Sequence, residues 1–367
     1  MKKILLLFIV FFLNFSAIKA EETTILPSQI GVVQKVEYID NNQASEFVQT
    51  KQNVEVKLLN GEYKNKLINV ENILTGNPNY DINLKQGTKV ILHVEKDKDN
   101  LIFSIESIQR SGILILLSLI FCSLLIYVGR KKGLYSLISI GITALLITNC
   151  LAPMILTGIS PVIGTLLICL LSTAITIYLV GGFNRKSTSA ILGCILSIIV
   201  AMFLSIMTVK MAALTGFSDE YSMFLYAAHP QLDFIGIIIS SMLLATLGAV
   251  MDVAMSIAST INEIYTVDNT KTVKDLFKCG MNVGRDIIGT MANTLILVYL
   301  GGSIPLILLT SNIDLQKFFN LNQIVTEISA ALIGSCAIVI CVPITAIVAS
   351  ELIKNIPVKI DFSKLEE

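Results

Sequence analysis

The sequence predicts a small antiparallel β-barrel, OB-like in style, followed by an α-helical transmembrane bundle of about seven helices. Three observations lead there. Residues 21–109 carry five short runs of β-branched and polar residues in alternation, the mark of half-buried strands. From Gly112 onward apolar stretches recur, each long enough to cross roughly 30 Å of hydrocarbon at about 1.5 Å per residue. The whole chain is 54% hydrophobic and only 15% charged. Its mean hydropathy of +0.75 is more than a soluble domain of this length can hide from water.

Residues 1–20 read as a signal peptide: Lys2 and Lys3 form a positive start, Ile4 to Phe12 an apolar run, and Ser16 to Ala20 a small-residue exit. Cleavage is expected after Ala20. An extracytoplasmic β domain follows over residues 21–110. Its strands are expected at Gly31–Tyr38, Asn53–Leu59, Lys66–Glu71, Thr88–Glu95 and Leu101–Glu106, with Asn60-Gly61 marking a hairpin between the second and third. OB-folds often bind oligonucleotides or sugars. Here no basic patch with interleaved aromatics appears, so nucleic acid is not an expected partner and the fold alone assigns no ligand.

The transmembrane domain covers residues 111–353, with spans near 112–129, 134–156, 162–182, 190–210, 234–259, 286–308 and 326–352, and a tail over 354–367. Arg130-Lys131-Lys132, Arg185-Lys186, Lys271/Lys274/Lys278/Arg285 and Lys354/Lys359/Lys364 alternate with loops carrying only Lys210 and Lys317. Positive residues mark the cytoplasmic side. The expectation is therefore a multi-pass protein of the plasma membrane, with the N-terminal domain outside and the C-terminus in the cytoplasm. Two connections carry structure of their own. Ser218 reads as the N-cap of a short outer helix, and Thr270–Lys278 as an amphipathic helix at the inner interface.

Net charge is zero, which argues against a polyanion binder. None of the seven cysteines falls between Ala20 and Gly112, so no disulfide framework staples the outer domain; they read as small membrane hydrophobes. No GxSxG, Walker A, HExxH or paired-Cys motif occurs, so no enzyme chemistry, metal or cofactor is expected.

Chemistry concentrates in the fifth and sixth spans. Ionisable groups at membrane depth cost on the order of 3 kcal/mol each and persist by facing protein or water. Helical spacing aligns Gly248, Asp252, Ser256 and Ser259 on one stripe, with Glu263 beyond. Asp252 lies about 27 Å along its span from Phe234. In the sixth span Arg285, Gly289 and Asn293 share one face, and Asp286, Thr290 and Thr294 the next. The two spans run in opposite directions, so Asp252 and the Arg285/Asp286 pair are expected at similar depth. Gly301-Gly302-Ser303-Ile304-Pro305 is either a break in the sixth span or its end, and Pro343 is expected to kink the seventh.

Several of these segments resemble the YibE/F family of bacterial membrane proteins. The outer-domain run Leu58-Leu-Asn-Gly-Glu-Tyr-Lys-Asn65 is similar, as are Gly182-Phe-Asn-Arg-Lys186, Gly248-Ala-Val-Met-Asp252 with Ser256–Ser259, and Asn282–Leu295. One departure is Asn65, where the resemblance leads one to expect glycine. The resemblance implies a multi-spanning membrane protein and no reaction or substrate.

The resulting expectation is a permease or exporter of a small solute or ion, with Asp252, Ser256, Ser259, Arg285, Asp286, Thr290 and Asn293 as its binding residues. The competing reading keeps these groups as an Arg–Asp lock between helices and makes the chain a scaffold or sensor whose outer domain binds a partner. The lipid bilayer is the expected partner, with a homologous membrane subunit or a second copy left open.

Overall fold

The computed structural model describes residues 28–39, 50–61, 63–77, 81–97, 100–308 and 313–355. The expected signal peptide and its cleavage site lie outside the described residues, as does the tail beyond residue 355. Two compact units divide the chain, with the boundary inside the first long helix at Leu124/Leu125.

The first unit holds five strands, β1 (Gln29–Ile39), β2 (Thr50–Leu58), β3 (Leu67–Leu74), β4 (Lys89–Asp97) and β5 (Asn100–Ile108). Every pairing is antiparallel, in the order β3-β2-β1-β4-β5. Strands β3 and β5 also approach each other, which makes the sheet a nearly closed barrel of the OB-like kind. Period-two alternation drives this closure. In β2, Gln52, Val54, Val56 and Leu58 are buried while the residues between them stay half-exposed, and they meet Val33, Val70, Leu84, Val90 and Leu92 in one core.

A buried polar knot ties the 81–84 segment to this core. The Asn72 amide donates to Gln52 Oε1 (2.8 Å) and to the Ile82 carbonyl (2.7 Å), while Gln52 Nε2 donates to Asn83 Oδ1 (3.3 Å). At the far end of β3, Asp81 accepts from the amides of Thr75 and Gly76, both at 2.6 Å. The Thr75 amide foremost holds the Asp81 carboxyl below its ordinary value. The β2–β3 connection is a hairpin, as Asn60-Gly61 predicts, but it runs over residues 59–66 and turns twice through the left-handed region, at Gly61 (φ 77°) and Asn65 (φ 70°). Asn65, the departure from the family pattern, thus sits where glycine is favoured and where asparagine is the best-tolerated substitute.

The second unit is helical. Its elements are α1 (Ser111–Leu146, begun in the first unit), a π-helical turn (Ile147–Leu151), α2 (Ala152–Leu156), α3 (Pro161–Gly181), α4 (Arg185–Met211), α5 (Glu220–Ala228), α6 (Phe234–Val267), α7 (Val273–Gly302), α8 (Ile304–Leu308), α9 (Leu315–Phe318) and α10 (Asn322–Asn355). Six helical stretches among the described residues are long and apolar enough to cross a membrane. The first, Ser111–Leu156, is 46 residues long, about 69 Å if straight and twice what one crossing needs. It is not straight. Arg130 adopts φ 49° and ψ −130°, and a β-carbon on Gly133 would lie 2.1 Å from the Leu125 carbonyl oxygen. Residues eight apart in a helix are separated by about 12 Å along the axis, so the chain doubles back at Arg130. This break falls at the expected junction between the first two spans.

Two other expectations are corrected. The amphipathic stretch at 270–278 and the sixth span are one helix, α7. A capping box at Thr272 and Asp275 starts it, and Gly280 and Gly284 do not interrupt it because both are seats for neighbouring side chains. Helix α5 is capped by Asp219 and not Ser218: the Asp219 carboxylate accepts from the Ser222 amide at 2.8 Å. At the other end of α7, Ser303 (φ −95°, ψ 6°) is a one-residue irregularity before α8. Its N–H donates to the Tyr299 carbonyl (3.1 Å) while its carbonyl accepts from the Ile307 N–H (2.9 Å), so the helical ladder carries across it. Helix α10 runs on through Pro343.

Helix α6 occupies the centre, packed by α3, α4, α7 and α10. Its buried face includes Met242, Leu243, Leu247, Val250, Ile257 and Ile261, and the thiols Cys169, Cys194 and Cys341 are fully buried in the same core. The second half of α1 joins α3 through Ser139–Thr176 (2.6 Å) and Thr143–Ser172 (2.8 Å) hydroxyl pairs. At one end of the bundle Arg185 donates to the Ile353 carbonyl (3.0 Å), and Lys354 to the carbonyls of Asn269 (3.0 Å) and Lys271 (2.7 Å). Three Lys/Arg-bearing connections therefore gather at that end. At the opposite end Asn322 donates to the Phe217 carbonyl (2.7 Å), and Phe217, Tyr226 and Phe234 form an aromatic trio holding α5.

Candidate functional site

Helices α6 and α7 form an antiparallel hairpin through the turn 268–272. Asp268 closes α6 there, and its carboxyl is held below its ordinary value by the Thr270 hydroxyl and amide. Glycines set the register of the pair. A β-carbon on Gly280 would come within 2.7 Å of Ile261, and one on Gly334 would meet both Leu295 (2.4 Å) and Thr246 (3.3 Å). Counting from either anchor gives the same levels: Ser259 with Asn282, Ser256 with Arg285, Asp252 with Gly289, and Gly248 with Asn293. Asp286 and Thr290 fall between. The residues singled out by sequence are thus brought to one band of the hairpin, spanning about 17 Å of helix.

Helix α10 serves as a ruler of depth. It carries no charged residue between Glu327 and Glu351, a stretch of about 36 Å. Gly284 seats Val342 and Gly280 approaches Ala346, which sets Arg285 level with Cys341. That is about 15 Å in from Glu351 and about 21 Å from Glu327, well inside the apolar length of the bundle.

Side chains in this band point outward. Asp252, Ser256, Arg285, Asp286, Thr290 and Asn293 are exposed and Ser259 is half-buried. Gly248 and Gly289 face open space, with no atom within 4 Å of a β-carbon placed on either. The stripe on α6 extends further than expected, through the exposed Ser241 and Ala245. Helical spacing from the Gly280–Ile261 contact sets Asp286, Thr290 and Thr294 on the flank of α7 beside α6, and Arg285, Gly289 and Asn293 further round. The Thr290 and Thr294 hydroxyls donate to carbonyls of their own helix, Ile287 (3.0 Å) and Thr290 (2.8 Å), leaving their oxygen lone pairs outward.

The structure does not join Asp252 to Arg285. Among the described residues the Lys/Arg–carboxylate pairs are Lys35–Glu37, Lys51–Glu71 and Lys271–Asp268, and the Arg285 guanidinium donates only to Asn282 Oδ1 at 3.4 Å. Two helices held by an Arg–Asp lock would show that pair buried. What is present instead is an open polar band crossing α6 and α7 at membrane depth. No group of three His, Cys, Asp or Glu side chains among the described residues is placed to hold a metal ion. A shallow cleft lined by Val273, Lys274, Phe277, Ile347, Ser350 and Glu351 lies nearer the 268–272 turn, away from Asp252.

The chain belongs to the YibE/F family: residues 117–355 match the family model for YibE/F-like protein, and residues 26–108 match that of the YibE/F family N-terminal domain. No curated protein and no solved structure matches the chain.

Proposed function

We propose that this multi-pass membrane protein is a permease or exporter of a small solute or ion, working through the α6–α7 band. The observation that carries the reading is the alignment of Asp252, Ser256, Asp286, Thr290 and Asn293 at common levels of two packed helices, at a depth where polar groups are otherwise costly. In this reading Asp252 is the coupling carboxylate, at the level where Gly289 leaves α7 without a side chain. Ser256, Ser259, Thr290 and Asn293 supply neutral ligands, and Arg285 with Asp286 sets the local charge. The residues offer binding and charge compensation.

The orientation proposed with it has the β domain outside and the C-terminus in the cytoplasm. The gathering of Arg185, Lys271 and Lys354 at one bundle end supports this through the positive-inside rule.

The test is a comparison of cells lacking the chain with cells expressing wild type or Asp252→Asn, across a panel of monovalent and divalent cations, inorganic anions and organic acids. Wild type is expected to alter tolerance or accumulation of one solute, and Asp252→Asn to abolish the effect at equal membrane abundance. An Asp252→Asn chain that behaves as wild type, combined with loss of the phenotype on deleting residues 24–108, would replace transport with the partner-binding scaffold.

A further inference from the structure

The outward half of α7 poses a problem that the single chain does not solve. Arg285 and Asp286 are exposed and sit level with a stretch of α10 that has no charge for about 15 Å on one side and 21 Å on the other. Asn293 and Gly289 lie on the same face. Lipid offers no partner for an ion, and a charge at the middle of a spanning helix is strongly unfavourable there. The remedy is to cover the face with protein whose groups pair with it.

We infer that the cover is a second copy of this chain, docked α7 to α7 about a two-fold axis normal to the membrane. The argument is self-complementarity. Such an axis brings residues of equal depth together, and Arg285 and Asp286 differ in depth by only about 1.5 Å while standing about 100° apart around the helix. They flank a seam running along Gly289. Across a parallel two-fold, the group on one side of the seam faces the group on the other side in the second chain. Each Arg285 then meets the partner's Asp286, twice over, and the face is neutral as a whole. Asn293 carries both donor and acceptor, so its amide pairs with its own copy, as a single asparagine does in fixing the register of paired helices. Gly289, with open space beside it, is where the two helices approach most closely. An anionic lipid headgroup would satisfy Arg285 and repel Asp286; only a surface carrying both charges in the reciprocal order satisfies both. The inference does not rest on transport, because its grounds are depth, exposure and charge order alone.

Cross-linking of the full-length chain in its native membrane tests it. Gly289→Cys, treated with copper phenanthroline, is expected to give a covalent dimer well above the wild-type background from the seven native cysteines. Phe203→Cys, exposed on α4, is expected to give none above that background. In mild detergent, light scattering is expected to give two chains per particle for wild type. Arg285→Glu is expected to lower the dimer fraction at least tenfold, and the exchanged pair Arg285→Asp/Asp286→Arg to restore it. Gly289→Cys no more cross-linked than wild type overturns the inference, as does a dimer indifferent to charge reversal. A single chain accompanied by phospholipid or by a different polypeptide overturns it too. If Arg285→Glu fails to fold, the cross-linking result decides.

Discussion

Gly193 and Thr345 are the sharpest test of how α4 meets α10. A β-carbon at Gly193 would lie 2.1 Å from Thr345 Oγ1, 2.9 Å from its Cβ and 3.1 Å from its Cα. Rotating the threonine removes only the first of these contacts, so Gly193→Ala forces the helices apart by several tenths of an ångström or more. Overpacking of this kind costs about 1–3 kcal/mol. Alanine in place of glycine returns about 1 kcal/mol of helix propensity, leaving a net loss of up to about 2 kcal/mol. At roughly 2–4 °C per kcal/mol for a domain of this size, the unfolding midpoint falls by up to about 8 °C. Gly141→Ala is the control, because it makes the same exchange within a helix and meets nothing within 4 Å; its midpoint stays equal or rises. A thiol-reactive fluorogenic dye reads both in detergent, since Cys169, Cys194 and Cys341 are fully buried in the core that must open. Thr345→Ala in the Gly193→Ala background is expected to recover part of the loss, a coupling of about 1 kcal/mol between touching residues. A Gly193→Ala midpoint equal to that of Gly141→Ala would refute the close approach of α4 and α10.

Three further outcomes follow from particular residues. Residues 26–108, with their own core around Val54, Val56, Leu58, Val90 and Leu92, are expected to fold alone; in that fragment Asn65→Ala loses about 1 kcal/mol at its left-handed position, while Asn65→Gly is unchanged or slightly more stable, measured by urea unfolding. The Asp81 carboxyl is held low by the Thr75 and Gly76 amides, so its contribution is complete above the ordinary aspartate range and is lost as pH falls through the depressed folded value. Unfolding of wild type and Asp81→Asn fragments between pH 6 and pH 2 is expected to converge at the acid end, and parallel curves would show that Asp81 contributes nothing. Lys354→Met removes a cation that donates to the carbonyls of Asn269 and Lys271. Tryptic cleavage after Lys271 is expected to accelerate by about tenfold, as befits about 1.5 kcal/mol for charge-assisted bonds, and an unchanged cleavage rate would mean the turn is held by its own Asp268–Thr270 bonds.

Much was legible in the residues alone because both solvents impose simple periodicities. Alternation along β2 and β4 follows from a sheet with one dry face, and the apolar lengths after Gly112 follow from the thickness of lipid. The stripe Gly248–Asp252–Ser256–Ser259 and the faces of α7 also follow from 100° per residue, which is a local property. Capping was read less well: Ser218 and Asp219 are both competent, and only the path of the backbone decided for Asp219. The continuity of α7 is also beyond the sequence, because its charged first turns differ in character from the apolar run after 286; only the seating of Ile261 and Val342 at Gly280 and Gly284 joins them in one packed helix.

What the sequence by itself determined is the order of one β domain and a set of spanning helices, together with which side chains share a helix face. Only the tertiary structure decided what those faces look at. One helix has no knowledge of another's register, so the levels joining Asp252 to Gly289 and Ser256 to Arg285 arose from the seats at Gly280 and Gly334. Nor does periodicity distinguish a polar face turned into the bundle from one turned out of it. That choice belongs to packing: Ile261 fills the seat at Gly280 of α7, and the Val250 carbonyl accepts from the Cys341 thiol of α10, leaving the charged band outside.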